Sequence, residues 1–411
     1  MTFPSRGLWL AALALVAFNL RPVISSVPPL VDQLVASFGL SAAAAGALTT
    51  LPVVCMGLFA PLAAVAARRY GPTLVLASSV LVIGVGAGLR FLGVVGLYSG
   101  AVVAGIGIAV AGTLLPSLVR ARYPTQVGPV TGLYTTALIG GAFLAAGITE
   151  PLRSLLDVTP QVALSLWAVP AFVAFVAWLL VPHGPSLTAP GRVSFPWRSR
   201  SAWLGTLFMG GQSLLFYATL AWLASTYTGL GRSAAFAGLL LAVFSATQLV
   251  TSLAMPSLAH RTASARPWIA FSVGITTLGL ALVAFAPSPF GAAPWIWASL
   301  LGLGMGGNLA LALLVLTENA PTPQDAPAFT GMAFFVGYLL AAIGPVAAGA
   351  LLDRSGFTTV FLVLAVLGVL TLVVGLAAAP RPAAPAPAAP PAPQDPAAPA
   401  TGTAAVLTSL T

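Results

Sequence analysis

Arg21 is the residue whose type and surroundings most clearly predict chemistry. It lies inside an apolar run that extends from about residue 8 to residue 37. If this run forms a helix across a bilayer, the thirteen steps of about 1.5 Å from Leu8 place Arg21 roughly 20 Å into a hydrocarbon core of roughly 30 Å. A guanidinium at that depth is costly unless it is paired or faces water. The sequence therefore predicts that Arg21 binds an anion in a polar cavity.

No acid in the sequence is placed to pair with Arg21 inside the membrane. The acids fall at the ends of apolar runs, in loops or near the C-terminus: Asp32, Glu150, Asp157, Glu318, Asp325, Asp353 and Asp395. We therefore expect an anionic substrate to be the partner. The alternative is a structural arginine bonded to carbonyls that Pro22, Pro28 and Pro29 leave free. Prolines also mark the broken helices of transporter sites, which favours the substrate interpretation.

Other polar and aromatic residues at membrane depth complete the predicted site. The full substrate-binding set is Arg21, Asn19, Tyr134, Gln212, Tyr217, Trp222, Asn308 and Tyr338. Each residue beside Arg21 could instead form a hydrogen bond between helices, a common role of polar residues in membranes. Gln212 is the strongest of them, because its position in the seventh span corresponds to that of Arg21 in the first. Positions related by a repeat face each other across a central cavity.

Enzymatic and metal chemistry are not expected. His183 and His260 fall in separate loops, and Cys55 is the single cysteine. A metal site needs several ligands close together, and no nucleotide-binding glycine motif follows a strand. An enzyme would need clustered histidines or acids, and a receptor would need a folded extramembrane domain. We therefore predict no metal, no cofactor and no catalytic activity, and ATP-driven transport by this chain alone is disfavoured.

The composition shows which elements must position these residues. Of 411 residues, 59% are hydrophobic and 6% are charged, with a mean hydropathy of +1.02. So few charges cannot solvate a globule of this size, so the chain is predicted to be a multi-pass protein surrounded by membrane lipid. The formal net charge of +9 predicts no nucleic-acid partner, because the positions of the arginines account for it.

Twelve apolar spans separated by arginine, proline and glycine clusters predict an all-α integral membrane protein, since only helices satisfy their own backbone in lipid. The spans are about 8–37, 41–66, 73–93, 96–118, 128–149, 162–181, 203–226, 234–258, 268–286, 294–316, 328–351 and 358–379. They divide the chain into a six-helix half at 1–181, a central loop at 182–202, a second six-helix half at 203–379 and a tail at 380–411. The Pro/Ala-rich tail is predicted to be disordered.

The two halves resemble each other, which predicts pseudo-symmetry. Residues 41–46 (SAAAAG) correspond to 233–238 (SAAFAG), 105–107 (GIG) to 302–304 (GLG), and 131–132 (TG) to 330–331 (TG). The offsets are 192, 197 and 199 residues, and they keep their order along the chain. A duplicated half with small loop insertions produces this drift.

The arginines predict the orientation in the membrane. With a cytoplasmic N-terminus, the inner side receives Arg6, Arg68, Arg69, Arg120, Arg122, Arg192, Arg198, Arg200, Arg261, Arg266 and Arg381. The outer side receives Arg90, Arg153, Arg232 and Arg354. Cytoplasmic loops carry the excess of positive charge, so we expect both termini to be cytoplasmic. We further expect a monomer in the inner membrane of a bacterium.

Several runs of sequence carry a family resemblance. They are residues 18–29 (FNLRPVISSVPP), 114–120 (LLPSLVR), 211–217 (GQSLLFY) with Trp222, 331–338 (GMAFFVGY) and 353–356 (DRSG). With twelve helices in two halves, the chain resembles the major facilitator superfamily, and within it the cyanate permease and nitroimidazole transporter family. The superfamily's loop motif after the second helix remains only as RRYG at 68–71, without its acidic member.

The resemblance implies a secondary transporter that works by alternating access. We expect a carrier of small organic or inorganic anions such as cyanate, with Arg21 as the electrostatic anchor. The alternative is an exporter of neutral drug-like compounds such as nitroimidazoles, for which aromatic side chains would matter more than Arg21. A proton-coupled multidrug exporter usually needs a titratable acid in the membrane, and none is placed there.

Overall fold

The structure is a computed structural model that describes residues 3–181, 194–262, 264–288, 290–322 and 325–380. The described residues are helical and contain no strand. Residues 182–193 and 381–411 lie outside them, and with them most of the predicted central loop, His183, Arg192 and the Pro/Ala tail. The expectations for those segments therefore stay predictions.

Fourteen α-helices occur in the described residues. They are α1 Phe3–Phe18, α2 Pro22–Ser25, α3 Val31–Phe38, α4 Ala42–Tyr70, α5 Pro72–Leu89, α6 Gly93–Arg122, α7 Val127–Leu156, α8 Pro160–Ser165, α9 Ala168–Leu180, α10 Arg200–Gly229, α11 Ala234–Arg261, α12 Arg266–Phe285, α13 Ala293–Glu318 and α14 Ala326–Ala378. Two 3-10 helices, Pro28–Leu30 and Arg90–Leu92, lie between α2 and α3 and between α5 and α6.

These helices make twelve crossings, as predicted. Ten helical stretches of the described chain are long and apolar enough to span a membrane. Two of them, Pro72–Arg122 with 51 residues and α14 with 53, would each be about 75–80 Å long, more than twice the hydrocarbon core. Each of the two turns back at a glycine with positive φ, 72° at Gly93 and 77° at Gly356. Each therefore crosses twice.

The first crossing is a broken helix. The chain leaves α1 after Phe18 and re-enters helix at Pro22, so Arg21 lies in the interruption. Pro22 cannot donate a backbone hydrogen bond, and Pro28 and Pro29 break the helix again before α3. The prolines thus divide one membrane crossing into short helical pieces.

The order of helix neighbours is the same in both halves. In the first half α4 and α5 both pack on α6, and α1 packs on α7. In the second half α11 and α12 both pack on α13, and α10 packs on α14. Between the halves, α4 packs on α14 and α7 packs on α11. Matching neighbours at matching positions define two pseudo-symmetric six-helix halves.

We call the side at which α1 begins the N-terminal face, and the side at which α4 and α11 begin the opposite face.

At the opposite face the repeated SAAAAG and SAAFAG segments each begin a helix and bring the two halves together. Ser41 and Ser233 cap α4 and α11. The hydroxyl of each serine accepts one hydrogen bond, from the backbone N–H of Ala44 and of Phe236 respectively. A side chain at Gly46 would meet the carbonyl of Pro345 in the other half, and one at Gly238 would meet that of Ala146. Glycine therefore lets the halves meet closely at this face.

The outer surface of the helices suits lipid. Large apolar side chains are exposed along many helices, among them Leu62, Val95, Val169, Phe271 and Val373. Soluble proteins rarely expose apolar surface on this scale. Together with the spans, this places the helices in a bilayer.

Candidate functional site

A cavity of about 480 Å³ lies between the two halves. The first half contributes residues of α2, α4, α6 and α7 and of the break before α2, and the second half contributes residues of α10, α11, α13 and α14. Most of the lining is apolar. Its polar and aromatic members are Arg21, Thr113, Thr131, Tyr134, Thr135, Tyr217, Ser252, Thr317, Phe334 and Tyr338.

The cavity extends from Arg21 toward the N-terminal face. Thr131 lies one turn after the start of α7, Pro256 lies in the last turns of α11, and Thr317 lies next to the end of α13. These three helix ends are at the N-terminal face. The space between the halves therefore lies on that side of the membrane centre.

Arg21 is the charged residue of the cavity lining. Its guanidinium carbon lies 5.3 Å from the centre of the Phe216 ring, a cation–π contact. Its Nη1 atom is buried and has no hydrogen-bond partner in the part of the chain that the structure describes. No carbonyl group in the described part of the helix break accepts a hydrogen bond from this nitrogen. The guanidinium thus keeps unused donor capacity beside the cavity.

Aromatic rings continue from Arg21 around one side of the cavity. The Phe216 and Tyr217 rings lie 4.9 Å apart between centres, and those of Tyr217 and Tyr338 lie 6.5 Å apart, both edge to face. Phe334 stacks on Tyr338 at 5.4 Å. We call Phe216, Tyr217, Tyr338 and Phe334 the aromatic row. It joins the cation of the first half to apolar surface from α10 and α14.

Four of the eight residues predicted from the sequence line this cavity, namely Arg21, Tyr134, Tyr217 and Tyr338. The other four do not. Asn19 donates to the carbonyls of Leu15 and Pro170, so it ties the end of α1 to α9. Its polar group is used for helix packing.

Trp222, Asn308 and Gln212 also point into helix contacts rather than the cavity. Trp222 donates to the carbonyl of Pro345 at 2.9 Å, and Asn308 donates to Thr276 at 3.0 Å. Gln212 is buried and donates to Ser213 at 2.7 Å. These contacts match the alternative role considered for them, hydrogen bonding between or within helices.

The repeat relates Arg21 to Gln212, but the cavity is lined by a different residue of α10. The offset of 191 residues between Arg21 and Gln212 is close to the 192 of the nearest repeated segments. Tyr217, five positions further along α10, is the residue that lines the cavity. Five residues are about 140° of turn on a helix, so the two positions point to nearly opposite sides of α10.

The opposite face is closed by two carboxylates that bridge the halves. Asp32 in α3 accepts hydrogen bonds from the hydroxyls of Ser225 and Thr228 near the end of α10. Asp353 in α14 accepts from the backbone N–H groups of Ala42 and Ala43, at 3.0 and 3.2 Å. A carboxylate at a helix N-terminus satisfies free N–H groups and complements the helix dipole. We call Asp32 and Asp353, with these partners, the carboxylate bridges.

The carboxylate bridges and the aromatic residues Phe216 and Phe334 were not among the predicted site residues. The bridges join positions more than 190 residues apart in the chain, which no local pattern reveals. Phe216 and Phe334 do lie in the runs 211–217 and 331–338 that carry the family resemblance. The family resemblance of those runs was therefore the sequence feature that could have identified these two residues.

No group of three or more histidines, cysteines, aspartates or glutamates that could hold a metal occurs within the described ranges. The ion pair found there joins Arg153 and Glu150 at 2.7 Å, on one helix near the opposite face.

The polar and aromatic groups that line the cavity are one cation, several hydroxyl groups and aromatic rings. This set can bind and orient a ligand.

Comparison with known sequences agrees with this architecture. Residues 202–410 match the profile of the Major Facilitator Superfamily. The chain is 33% identical to the uncharacterized transporter YycB of Bacillus subtilis strain 168, over 87% of this chain and 90% of the relative. It is 32% identical to the 2-nitroimidazole transporter and to the cyanate transport protein CynX, both of Escherichia coli K12. These two alignments cover 91% and 84% of this chain, and 96% and 90% of the relatives.

Solved structures show the same fold. A bacterial homologue of the human lysosomal transporter Spinster, in an inward-facing and unoccupied conformation, superposes with a TM-score of 0.76. The match covers 92% of this chain and 98% of that protein, at 14% sequence identity. At this identity the likeness concerns the fold. The named relatives, at higher identity, support a transport role and not an enzymatic one.

Proposed function

Since this chain belongs to the Major Facilitator Superfamily and is a multi-pass membrane transport protein, not an enzyme, we propose that it moves a small anion by alternating access. The observation that carries the proposal is Arg21. A half-buried guanidinium beside the cavity, with an unpartnered Nη1 and no carboxylate in the lining, has an anionic substrate as its natural counter-charge. The cyanate transporter among the relatives is an example of an anion carrier.

In this proposal the halves at 1–181 and 203–379 rock against each other about the cavity, and the segment 182–202 links them. The structure has the cavity on the N-terminal face and the carboxylate bridges on the opposite face. To expose Arg21 to the opposite face, the bridges and the glycine contacts of α4 and α11 must separate. Tyr134, Tyr217, Phe334 and Tyr338, which line the cavity, would then contact a ligand that enters from either face.

We further propose that the N-terminal face is cytoplasmic and that the chain lies in a bacterial inner membrane as a monomer. The arginines support this orientation, because the sequence assigns eleven of them to the loops on the side of the N-terminus and four to the loops on the other side. With a cytoplasmic N-terminal face, the cavity extends toward the cytoplasm, so the state described here is inward-facing.

A second candidate is export of neutral drug-like compounds such as nitroimidazoles. The mostly apolar lining and the aromatic row favour it, as does the 2-nitroimidazole transporter among the relatives. In that case Arg21 would act as a hydrogen-bond donor to a neutral ligand. The two candidates differ in whether the ligand must carry a negative charge.

Uptake into proteoliposomes tests the choice. The purified full chain is reconstituted, and flux is measured for radiolabelled cyanate, for small organic carboxylates and for 2-nitroimidazole at a pH where it is neutral. Empty liposomes and the Arg21→Ala variant serve as controls. Anion flux that depends on Arg21 supports the proposal. Flux of the neutral compound alone, with none for any anion, would overturn it.

A further inference from the structure

The walls of the central cavity are poorly matched to a very small inorganic anion. A cavity of about 480 Å³ falls within the range of roughly 300–1,000 Å³ typical of sites for organic ligands. Beyond Arg21, most of its lining is apolar, and three rings of the aromatic row, Tyr217, Tyr338 and Phe334, line the side contributed by α10 and α14. An ion such as cyanate would contact Arg21 and leave most of this surface facing water. Binding per atom has a ceiling that limits a three-atom ligand to about millimolar affinity.

The charge of the cavity lining limits the charge that the substrate can carry. Arg21 is its charged member, and the other polar groups are hydroxyls such as Thr131, Tyr134 and Thr317. One cation balances one negative charge, and a second charge would have to be desolvated against apolar walls. The cavity therefore favours a monoanion over a dianion.

The aromatic row favours a particular shape of substrate. Phe334 and Tyr338 stack at 5.4 Å, and Tyr217 meets Tyr338 edge to face. Both Phe334 and Tyr338 are half-buried, so they keep free surface toward the cavity. Aromatic rings prefer offset-stacked or edge-to-face partners, and the guanidinium of Arg21 already uses a ring in this way at Phe216. A flat π-system fits such walls better than a saturated ring of equal size.

From volume, charge and wall chemistry together, we infer that the substrate is a planar aromatic monoanion larger than cyanate, bound with its carboxylate at Arg21 and its ring along Tyr217, Tyr338 and Phe334, and benzoate is the simplest probe with these features. This inference rests on the proposed function and narrows it from small anions in general to aromatic carboxylates. It also assigns Tyr217, Tyr338 and Phe334 the role of a specificity surface.

The test compares four probes on the purified full chain in detergent, with ligand binding measured by competition and checked by thermal shift. Benzoate has both features, and benzamide keeps the shape without the charge. Cyclohexanecarboxylate keeps the charge without the planar ring, and cyanate keeps the charge without the size. We expect benzoate to bind at least tenfold more tightly than each of the other three.

Variants connect these preferences to residues. Arg21→Gln should remove the preference for benzoate over benzamide while leaving the preference for a planar ring. Tyr338→Leu should reduce the preference for benzoate over cyclohexanecarboxylate by about fivefold, with Phe334→Leu as the second variant if the first does not fold. Phe361→Leu is the matched control, because it truncates a fully buried ring of α14 away from the cavity lining. It should leave both preferences unchanged.

The outcomes separate the inference from the proposed function. If cyclohexanecarboxylate equals benzoate, or if cyanate binds more tightly, the aromatic assignment is overturned and anion transport stands. If benzamide binds as well as benzoate, both fail, because charge then contributes nothing. If no carboxylate binds at millimolar concentration, the inference is also overturned.

Discussion

At the scale of single residues, Arg21 has two possible stabilising environments, a ligand or the protein itself. In the structure its ring contact with Phe216 offsets part of the cost of burial, but Nη1 remains without a partner among the described residues. Arg90 is a useful comparison. It is 1% exposed, and its three guanidinium nitrogens also lack partners there, yet it does not line the cavity. Arg21 thus lines the cavity where a ligand could bind, and Arg90 does not.

Substituting Arg21 should therefore affect binding far more than folding. We expect Arg21→Ala to weaken anion binding by roughly 100-fold or more, the usual cost of truncating a buried charge partner. Arg21→Lys should retain part of the affinity, because an ammonium keeps the charge and loses the planar fork. The measurement is ligand affinity per folded molecule, with folding checked by size-exclusion and thermal unfolding.

Arg90→Ala is the control for this experiment. It also removes a buried arginine, so any general effect of that loss on stability appears there without an effect on binding. Affinity of Arg21→Ala equal to that of the parent chain would remove the central argument for an anionic substrate.

The residue scale also shows what the sequence could predict. A charged residue inside an apolar span is informative because lipid does not tolerate it, and Arg21 was identified for that reason. Asn19, Trp222 and Asn308 could not be assigned in the same way. In a membrane helix, polar groups serve helix contacts and ligand sites alike, and only the packing of neighbouring helices distinguishes the two.

At the scale of elements, the twelve spans were readable from the sequence because hydrophobic length is a direct requirement of the bilayer. The side of each helix that faces the cavity was not readable. Every side of these helices meets either lipid or protein, so apolar residues surround them. The four-residue spacing of Phe334 and Tyr338 puts them on one side of α14 but does not tell a cavity-facing side from one that packs on another helix. The repeat relates Arg21 to Gln212 in α10, whereas the α10 residue that lines the cavity is Tyr217, five positions further along.

The carboxylate bridges allow a test of how the elements move. A carboxylate near a helix N-terminus contributes about 0.3–1 kcal/mol at an exposed site, so Asp353→Ala should shift the conformational equilibrium toward opening of the opposite face by about two- to fivefold. The readout is Ile24→Cys, in the cavity lining, in a Cys55→Ala background. Its labelling by an impermeant thiol reagent from the opposite face should increase by that factor.

Asp157→Asn is the control for the bridge experiment. This exposed residue ends α7 at the same face with φ of 49°, a conformation that asparagine also adopts, and it takes no part in either bridge. Labelling should stay at the parent level in this variant. Unchanged labelling in both Asp353→Ala and the double variant with Asp32→Ala would show that the bridges do not hold the face closed.

At the scale of the whole molecule, the two halves should suffice for transport. The tail from residue 381 onward lies outside the described residues, and its Pro/Ala composition offers little apolar surface to pack. We expect truncation after Arg381 to leave substrate flux in proteoliposomes close to that of the full chain. A large loss of flux at equal reconstituted amount would instead indicate a contact between the tail and the transport cycle.

The orientation of the whole molecule is the remaining expectation. Ser199 precedes α10 at the N-terminal face, and Ser288 follows α12 at the opposite face, so one crossing more or less would place them on the same side. In a Cys55→Ala background, Ser288→Cys in intact cells should react with an impermeant thiol reagent, and Ser199→Cys should react only after the cells are opened. The reason is the excess of arginine at the N-terminal face, which insertion retains in the cytoplasm. The Cys55→Ala chain without added cysteine gives the background, and detergent-solubilised samples confirm that both sites are reactive. Labelling of Ser199→Cys alone in intact cells would invert the molecule, so that the cavity beside Arg21 would extend toward the outside in the state described.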